Sequence, residues 1–371
     1  MNRPKVVHFT SVHAPFDTRI LYKECISLAQ ADYDVVLIAP TERDTIVENV
    51  RIRAVPKASN RTERLKSTVR HVYQAAVEEN GDIYHFHDPE LVPVGMLLKA
   101  RGKKVVFDIH ENLPAQILGK TYLRPDLLRR GVAHAATLVE KLAPRIFDGV
   151  VVANPLVAQR FASPNVILIA NYPSLTMIDK TPAAEQTPDR PVVIYVGGLT
   201  PIRGICELID AMALLQGKTT LWLAGPWLSD AFRAQCMARA GWQHVRYLGY
   251  LTPLEVYGVL KKADVGVATL HPQENYLTNL PVKAFEYMAC ALPVVMSNFP
   301  YWQNIFQGAA VFVDPKKPEA IAKAIRKLLD SPAKARSLGQ AGRLMIEQTY
   351  SWEREAEKLL SMYASLLSGV R

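Results

Sequence analysis

The sequence predicts an α/β protein of two Rossmann-like doubly wound lobes in tandem, and three observations carry that prediction. The chain has 371 residues, and at roughly 150 residues per domain that exceeds one core. Short β-rich runs alternate with longer helical patterns, the mark of parallel sheets covered on both faces. A proline-rich break interrupts the alternation near the middle, after which it restarts.

In the first lobe the expected strands are Val6–Phe9, Val35–Ala39, Ile83–Phe86, Lys104–Asp108, Val150–Val152 and Val166–Ile169, with a helix over Arg19–Ala31. Between Tyr172 and Pro191 come Pro173, Pro182, Pro188 and Pro191 among polar residues. Proline fixes φ and removes a donor, so this reads as a linker. Strands resume at Val192–Tyr195, Thr220–Ala224, Val245–Leu248, Val265–Ala268, Val294–Met296 and Ala310–Val313. Helices fall at Ile205–Leu215, Pro253–Lys262, Val282–Ala289, Pro318–Leu329 and Ala333–Gln348. The expected domains are therefore 1–172, a linker over 173–190, and 191–351, with a last helix, 352–371, returning to the first lobe. Ligands of such sheets bind beyond the carboxyl ends of the strands, so two facing lobes predict a cleft between them.

Composition narrows the function classes. Hydrophobic residues at 49% and charged residues at 21% fit a soluble globular chain. Cys25, Cys206, Cys236 and Cys290 have no metal-ligand or redox spacing and read as small buried hydrophobes. The apolar run Val6–Thr10 is too short for a signal peptide, and no stretch nears the ~18 apolar residues of a membrane span. A cytoplasmic protein is expected. The net charge of +9 divides as +5 up to residue 180 and +4 beyond it, so neither half is a basic tail. Phosphorylated ligands or an anionic membrane surface suit that charge. No nucleic-acid-binding module is visible, and no Gly-x-Gly-x-x-Gly follows the first strand of either lobe, against a dehydrogenase.

Two motifs carry chemistry in the second lobe. Gly197-Gly198 ends a strand, and Arg203-Gly204 precedes a helix. Bare glycine backbone lets a ligand approach, a helix start offers N–H groups to an anion, and a guanidinium suits a diphosphate. A surface arginine beside an ordinary turn is the alternative. Further on, Pro281 opens a short apolar helix that nevertheless holds Glu286. A carboxylate there needs a partner or a ligand. It can accept from both hydroxyls of a ribose, or simply pair with Lys283 across a helical turn.

The segment Pro281 to Val295 resembles the signature of family 4 retaining glycosyltransferases of the GT-B fold: Glu286 in a short helix, then Met288-Ala289, a small residue and Pro293-Val294-Val295. Tyr195-Val196-Gly197, Leu248-Gly249-Tyr250, Ala263-Asp264-Val265 and Tyr350-Ser351-Trp352 match in order and spacing. The resemblance covers nearly the whole chain. It implies a transferase of surface-polysaccharide or glycolipid assembly that takes a UDP or GDP sugar as donor substrate. By it, Glu286 holds the donor ribose, and Arg203 stands where the family has a diphosphate-binding lysine. Gly249, Tyr250 and Leu251 edge the base. Asn275, Thr278, Asn279 and Leu280 touch the donor sugar, mainly through backbone N–H groups. Lys283 counts with the donor-binding set. No cofactor and no catalytic metal are implied.

Three positions depart from the family pattern. Gly198 stands where an arginine is common. Thr278 replaces the first glutamate of the pair, with Glu274 the nearest acid. His13 to Arg19 replaces the usual glycine pair after the first strand. Arg19, at a helix start, is expected to supply the missing positive charge.

In the first lobe, His85-Phe86-His87-Asp88 and Asp108-Ile109-His110-Glu111-Asn112 end consecutive strands. His110 lies at the position of the family's active-site histidine. The resemblance implies attack by the acceptor hydroxyl from the face the diphosphate leaves, with a neutral histidine steadying charge on the sugar. A histidine that ties strand ends together is the alternative. A metal set of His87, Asp88, His110 and Glu111 is another by residue type. Asp17 and Glu111 are candidates to orient the acceptor, and Asp17 reads equally well as a helix N-cap. Asn171 stands at the entry to the linker, as a hinge.

From Lys99 to Arg145 there are ten basic and four acidic residues. Residues 118–147 mix leucines with lysines and arginines, which fits either peripheral contact with an anionic membrane or a helix packed on the sheet with a solvated basic face. The expected acceptor is a saccharide or a lipid-linked molecule. The competing readings are a nucleotide-sugar epimerase or phosphorylase on the same fold, and a non-catalytic nucleotide-sugar-binding homologue.

Overall fold

The computed structural model describes residues 3–110, 113–119, 126–273, 276–277 and 279–369. The chain divides into two units, Met1–Asn171 with Arg354–Arg371, and Tyr172–Glu353.

The first unit is built on an eight-stranded sheet. Its strands are β1 (Lys5–Phe9), β2 (Asp34–Pro40), β3 (Thr45–Val47), β4 (Val50–Val55), β5 (Ile83–Phe86), β6 (Lys104–Ile109), β7 (Gly149–Val152) and β8 (Val166–Leu168). Their order is β3-β4-β2-β1-β5-β6-β7-β8. Every pairing is parallel except β3 with β4. That hairpin is missing from the sequence expectation. Glu48 and Asn49 take positive φ of 45° and 66° between its strands, as a two-residue turn matched to strand twist requires. β4 reads Val-Arg-Ile-Arg-Ala-Val, an alternation that differs from the apolar runs of the buried strands.

The expected helix over Arg19–Ala31 is two segments: a wide-turned one at Ile20–Cys25, with bonds such as Glu24 N–H to the Arg19 carbonyl, then an α-helix at Ile26–Gln30. Such widening rotates side chains around the axis and recurs at functional sites. Here Arg19, Lys23 and Glu24 are all buried. The core beneath the sheet packs Val7, Phe9, Phe86, Phe107 and Val150 with Leu98 and Phe147.

The second unit has a six-stranded parallel sheet, order β11-β10-β9-β12-β13-β14. The strands are β9 (Val192–Val196), β10 (Thr220–Ala224), β11 (Val245–Gly249), β12 (Val265–Ala268), β13 (Val294–Ser297) and β14 (Ala310–Val313). In order of appearance this is 3-2-1-4-5-6, so direction reverses between β9 and β12, where doubly wound sheets bind ligands. Two apolar layers cover it, one around Trp222, Phe285, Tyr287 and Trp302, the other around Tyr195, Leu208, Ile209 and Leu223. The four cysteines are free thiols. Cys25, Cys206 and Cys236 are buried, Cys290 partly so, and the Cys206 and Cys236 sulfurs lie 3.9 Å apart.

The linker expectation is corrected. Residues after Asn171 belong to the second unit and hold a helix, Leu175–Lys180, capped by the Ser174 hydroxyl on the Met177 N–H. Its Ile178 is buried in the core. Ala184 N–H donates to the Gly258 carbonyl, and Arg343 grips Asp179 at 2.8 and 2.9 Å. The prolines flank this helix and do not interrupt it. At the other end, Glu353 accepts from Ser174 and Thr176, while the buried Tyr363 further along the closing helix, Trp352–Ser368, belongs to the first unit. Truncating Ile178 to alanine should cost the second unit about 2–5 kcal/mol, the range for a core aliphatic. Urea unfolding measures it, and a loss near zero means the segment is a loose tether after all.

Candidate functional site

The second unit concentrates its sequence-predicted residues at the reversal point of the sheet. β9 runs straight into Gly197, whose φ of +131° few side-chain-bearing residues adopt. A Cβ there would stand 3.0 Å from the Lys283 ammonium and 3.1 Å from the Arg203 guanidinium. Two cations thus flank one stretch of bare backbone. Gly204 is equally constrained: at φ +69° its Cβ would meet the Thr269 carbonyl oxygen at 2.0 Å. That contact holds the turn after β9 against the loop after β12. His271 N–H to the Ile202 carbonyl, 2.9 Å, reinforces it.

Arg203 ends a single 3₁₀ turn, Pro201–Arg203, and its guanidinium is raised by the neighbouring phenols of Tyr195 and Tyr276 against the effect of burial. Lys283 sits in the first turn of the helix Val282–Ala289, donates to the Tyr195 hydroxyl at 2.6 Å, and lies 4.0 Å from the centre of that ring. Burial and the neighbouring Arg203 push the Lys283 ammonium well below the ordinary lysine range, with Glu286 pulling it back. Burial drives the Tyr195 phenol up to about 12. Glu286, half-buried one turn after Lys283, is thus close enough to act on that ammonium. Arg203 and Lys283 therefore stand together about Gly197, with Glu286 acting on Lys283 from one helical turn away.

The shell that holds this group is hydrogen-bonded. The Tyr287 hydroxyl accepts from the Val196 N–H at 2.9 Å, which ties the helix to β9. The Arg343 guanidinium caps the Ala289 carbonyl at 2.7 Å, a cation at a helix C-terminus. Trp302 Nε1 donates to the Asn279 carbonyl at 2.9 Å, and the Ser297 hydroxyl to the Leu270 carbonyl at 2.6 Å. These fix both ends of the loop that enters the helix. Leu280 packs partly on the core. Gly198 has open space where a Cβ would be. Gly249, at φ +79°, accepts from the Gly225 N–H, Tyr250 is 77% exposed, and Leu251 lies partly against the core. Asn275 and Thr278 fall outside the described residues. Tyr195 and Tyr276 were not anticipated as site residues: Tyr195 was read only as part of the Tyr195-Val196-Gly197 motif, and Tyr276 stands in no motif.

The first unit gathers its polar residues at the carboxyl ends of β1, β5 and β6. Asp88 accepts from the Thr10 hydroxyl at 2.7 Å and the Ser11 N–H at 2.6 Å. Asp108 Oδ2 lies 3.2 Å from His110 Nε2 and 3.4 Å from His87 Nδ1. His87 Nδ1 and His110 Nε2 are 3.1 Å apart. His110 keeps 17% of its side chain exposed, while His87 is closed off. Burial pushes His87 down to about 4, and His8 and His85 well below their ordinary value.

Arg19 has a different role from the one expected. Its guanidinium holds Asp108 through Nε at 3.1 Å and Nη2 at 3.2 Å, donates to the Ile169 carbonyl at 3.0 Å, and contacts Glu24 at 3.0 Å. Only 4% of the side chain is exposed. A charge spent on two buried carboxylates is not offered to a diphosphate, and its role is to hold Asp108. Burial opposes the Asp108 charge, but Arg19 and His110 hold its carboxyl well below the usual range, while burial drives Glu24 well above it.

Asp17 accepts from the Arg19 and Ile20 N–H groups at 2.8 and 2.9 Å, which is helix capping. Its other oxygen lies 3.4 Å from His13 Nδ1. Burial would raise Asp17, yet His13 and the capping N–H hold it well below the carboxylate range. Glu111 lies outside the described residues. Asn171, read as a hinge, accepts from the buried Lys23 ammonium at 2.6 Å.

The family model for Glycosyltransferase Family 4 matches residues 18–169, and that for Glycosyl transferases group 1 matches residues 190–331. Glycogen synthase of Mycobacterium tuberculosis is 28% identical over 217 residues, 56% of this chain and 49% of that protein. A GDP-mannose-dependent alpha-(1-6)-phosphatidylinositol dimannoside mannosyltransferase of the same species is 26% identical over 189 residues, 50% of this chain and 47% of that protein. The chain spans about half the length of the curated relatives it matches. Anabaena HepE, solved in complex with UDP and glucose, superposes with a TM-score of 0.72 at 15% identity, covering 98% of this chain and 100% of that one. With one family model on each unit and the GT-B fold in its structural neighbours, the chain belongs to the family 4, group 1 glycosyltransferases.

Proposed function

We propose that the protein moves a hexose from a UDP or GDP sugar to a saccharide or lipid-linked acceptor with retention at the anomeric carbon. The observation that carries the donor half is the pair of basic side chains, Arg203 and Lys283, about the bare backbone of Gly197; an anion there would restore the Lys283 charge that burial and Arg203 oppose. A diphosphate there replaces the Tyr195 and Tyr276 phenols as the partner of Arg203 and gains charge-assisted bonds. Glu286 takes the ribose hydroxyls, and the turn at Gly249 to Leu251 edges the base. Leu280 and Asn279, with Asn275 and Thr278, meet the sugar.

In the first unit, His110 is the group proposed to meet the reacting sugar, supported by its partial exposure and its bond to Asp108. The pair orients the imidazole as an electrostatic stabiliser, and no protein nucleophile is required. Glu111 remains the proposed acceptor-orienting carboxylate. A lipid-linked acceptor is supported by the helix Asp126–Ile146, which exposes Leu127, Val132 and Leu138 beside Arg130 and Lys141. No helix among the described residues is long and apolar enough to cross a membrane.

Turnover and thermal-shift measurements with UDP, GDP and their sugars test the donor assignment; if none binds, it fails. Arg203→Ala should weaken nucleoside diphosphate binding roughly 10- to 100-fold, the value of one or two charge-assisted hydrogen bonds. Calorimetry reads this, and unchanged affinity removes Arg203 from the site. His110→Ala should lower kcat on the order of 10²-fold with little change in donor KM. Proton NMR of the product should show the donor's anomeric configuration, and an inverted linkage rejects the retaining mechanism.

A further inference from the structure

Beneath the strand ends of the first unit, three imidazoles and a carboxylate turn toward one another. His8 lies in β1 directly opposite His85 in β5, His87 follows β5, and Glu24 comes from the wide-turned segment Ile20–Cys25. All four are buried. One nitrogen from each ring and one Glu24 oxygen lie within 4.8 Å of one another. His8 Nδ1 is 3.0 Å from His87 Nε2 and 3.8 Å from Glu24 Oε2, and His87 Nε2 is 3.9 Å from the same oxygen. Ligands at zinc-to-nitrogen distances of about 2.0–2.1 Å in a tetrahedron stand roughly 3.3 Å apart. The observed separations bracket that figure.

Hydrogen bonding alone leaves the cluster unsatisfied. His85 Nδ1 engages the Tyr363 hydroxyl at 2.8 Å, and its buried Nε2 has no hydrogen-bond partner. Both Glu24 oxygens also lack an aligned one, with the Arg19 guanidinium in ionic contact and the Asp108 carboxylate alongside. Orphaned polar atoms in a core are costly, and a cation between them would engage His85 Nε2 and one Glu24 oxygen at once, leaving the other to Arg19. The outward nitrogens are already provided for. His8 Nε2 lies 3.2 Å from Tyr363 Oη, and His87 Nδ1 faces Asp108 at 3.4 Å. Outer partners of this kind orient metal-bound histidines.

We propose that His8, Glu24, His85 and His87 bind one divalent transition-metal ion, with zinc the ion best suited to three imidazoles and a carboxylate. Four protein ligands leave no open position, so the ion is structural. It secures His87, whose other nitrogen faces Asp108 and His110. The assignment departs from the sequence expectation of no metal and from the alternative set there. Asp88 is occupied by Thr10 and Ser11, and the ligands at 8, 24, 85 and 87 have no recognisable spacing. It does not rest on the sugar-transfer reading.

The test uses the full chain, freed of any histidine tag, dialysed against metal-free buffer and then supplied with zinc. Elemental analysis should find about one zinc per chain retained after gel filtration, and the melting temperature should rise on zinc addition. Cobalt in its place should give the intense visible bands of a tetrahedral site, and His85→Ala should abolish them. Should that variant fail to fold, X-ray absorption of the wild-type zinc form decides, with three nitrogens and one oxygen expected in the first shell. Absence of stoichiometric zinc in the wild type, or undiminished retention by a folded His85→Ala, overturns the proposal.

Discussion

The edge made by the carboxyl ends of parallel strands is the constraint on which the rest depends. Every pairing in the two sheets except β3 with β4 is parallel, so each strand delivers its following loop to the same edge. In the second unit the order reverses between β9 and β12, which lie side by side, and the loops that follow them meet at that point. Gly197 to Gly204 follow one strand, and the loop leading to Val282 follows the other. Lys283 and Arg203 meet because the topology brings their loops together. The Gly204 contact with Thr269 sets how closely they do so.

The two units treat charge differently. The first buries it: Arg19, Glu24 and Asp108 lie in the core, and burial of a charge is tolerated only with close partners. Arg19 holds Asp108, and Asp108 in turn orients His110 and faces His87. Removing one member would strand the others. The second unit keeps Arg203, Lys283 and Glu286 partly open. There Lys283 donates to the Tyr195 phenol, is opposed by Arg203 and is favoured by Glu286.

Much of this architecture was legible in the chain. Buried parallel strands read as apolar runs such as Val192–Val196 and Val265–Ala268, because both faces are covered. The helix Val282–Ala289 was legible from Pro281 and its apolar period. The β3–β4 hairpin was not, since β4 alternates, β3 has only three residues, and their turn uses Glu48-Asn49, without glycine. The linker also misled: prolines mark a helix start as readily as a loop, and only the burial of Ile178 distinguishes the two.

The sequence by itself determined the fold class, the family, and the identity of Arg203, Lys283, Glu286 and His110 as candidates, since periodicity and local motifs are properties of neighbouring residues. Tertiary structure alone decided what Arg19 does. Its partners, Asp108 and Ile169, are 89 and 150 residues away. It also decided that His8 stands against His85 and that Glu24 turns inward on a widened helical turn. Those relations arise from strand register and helix rotation, which a local pattern does not encode.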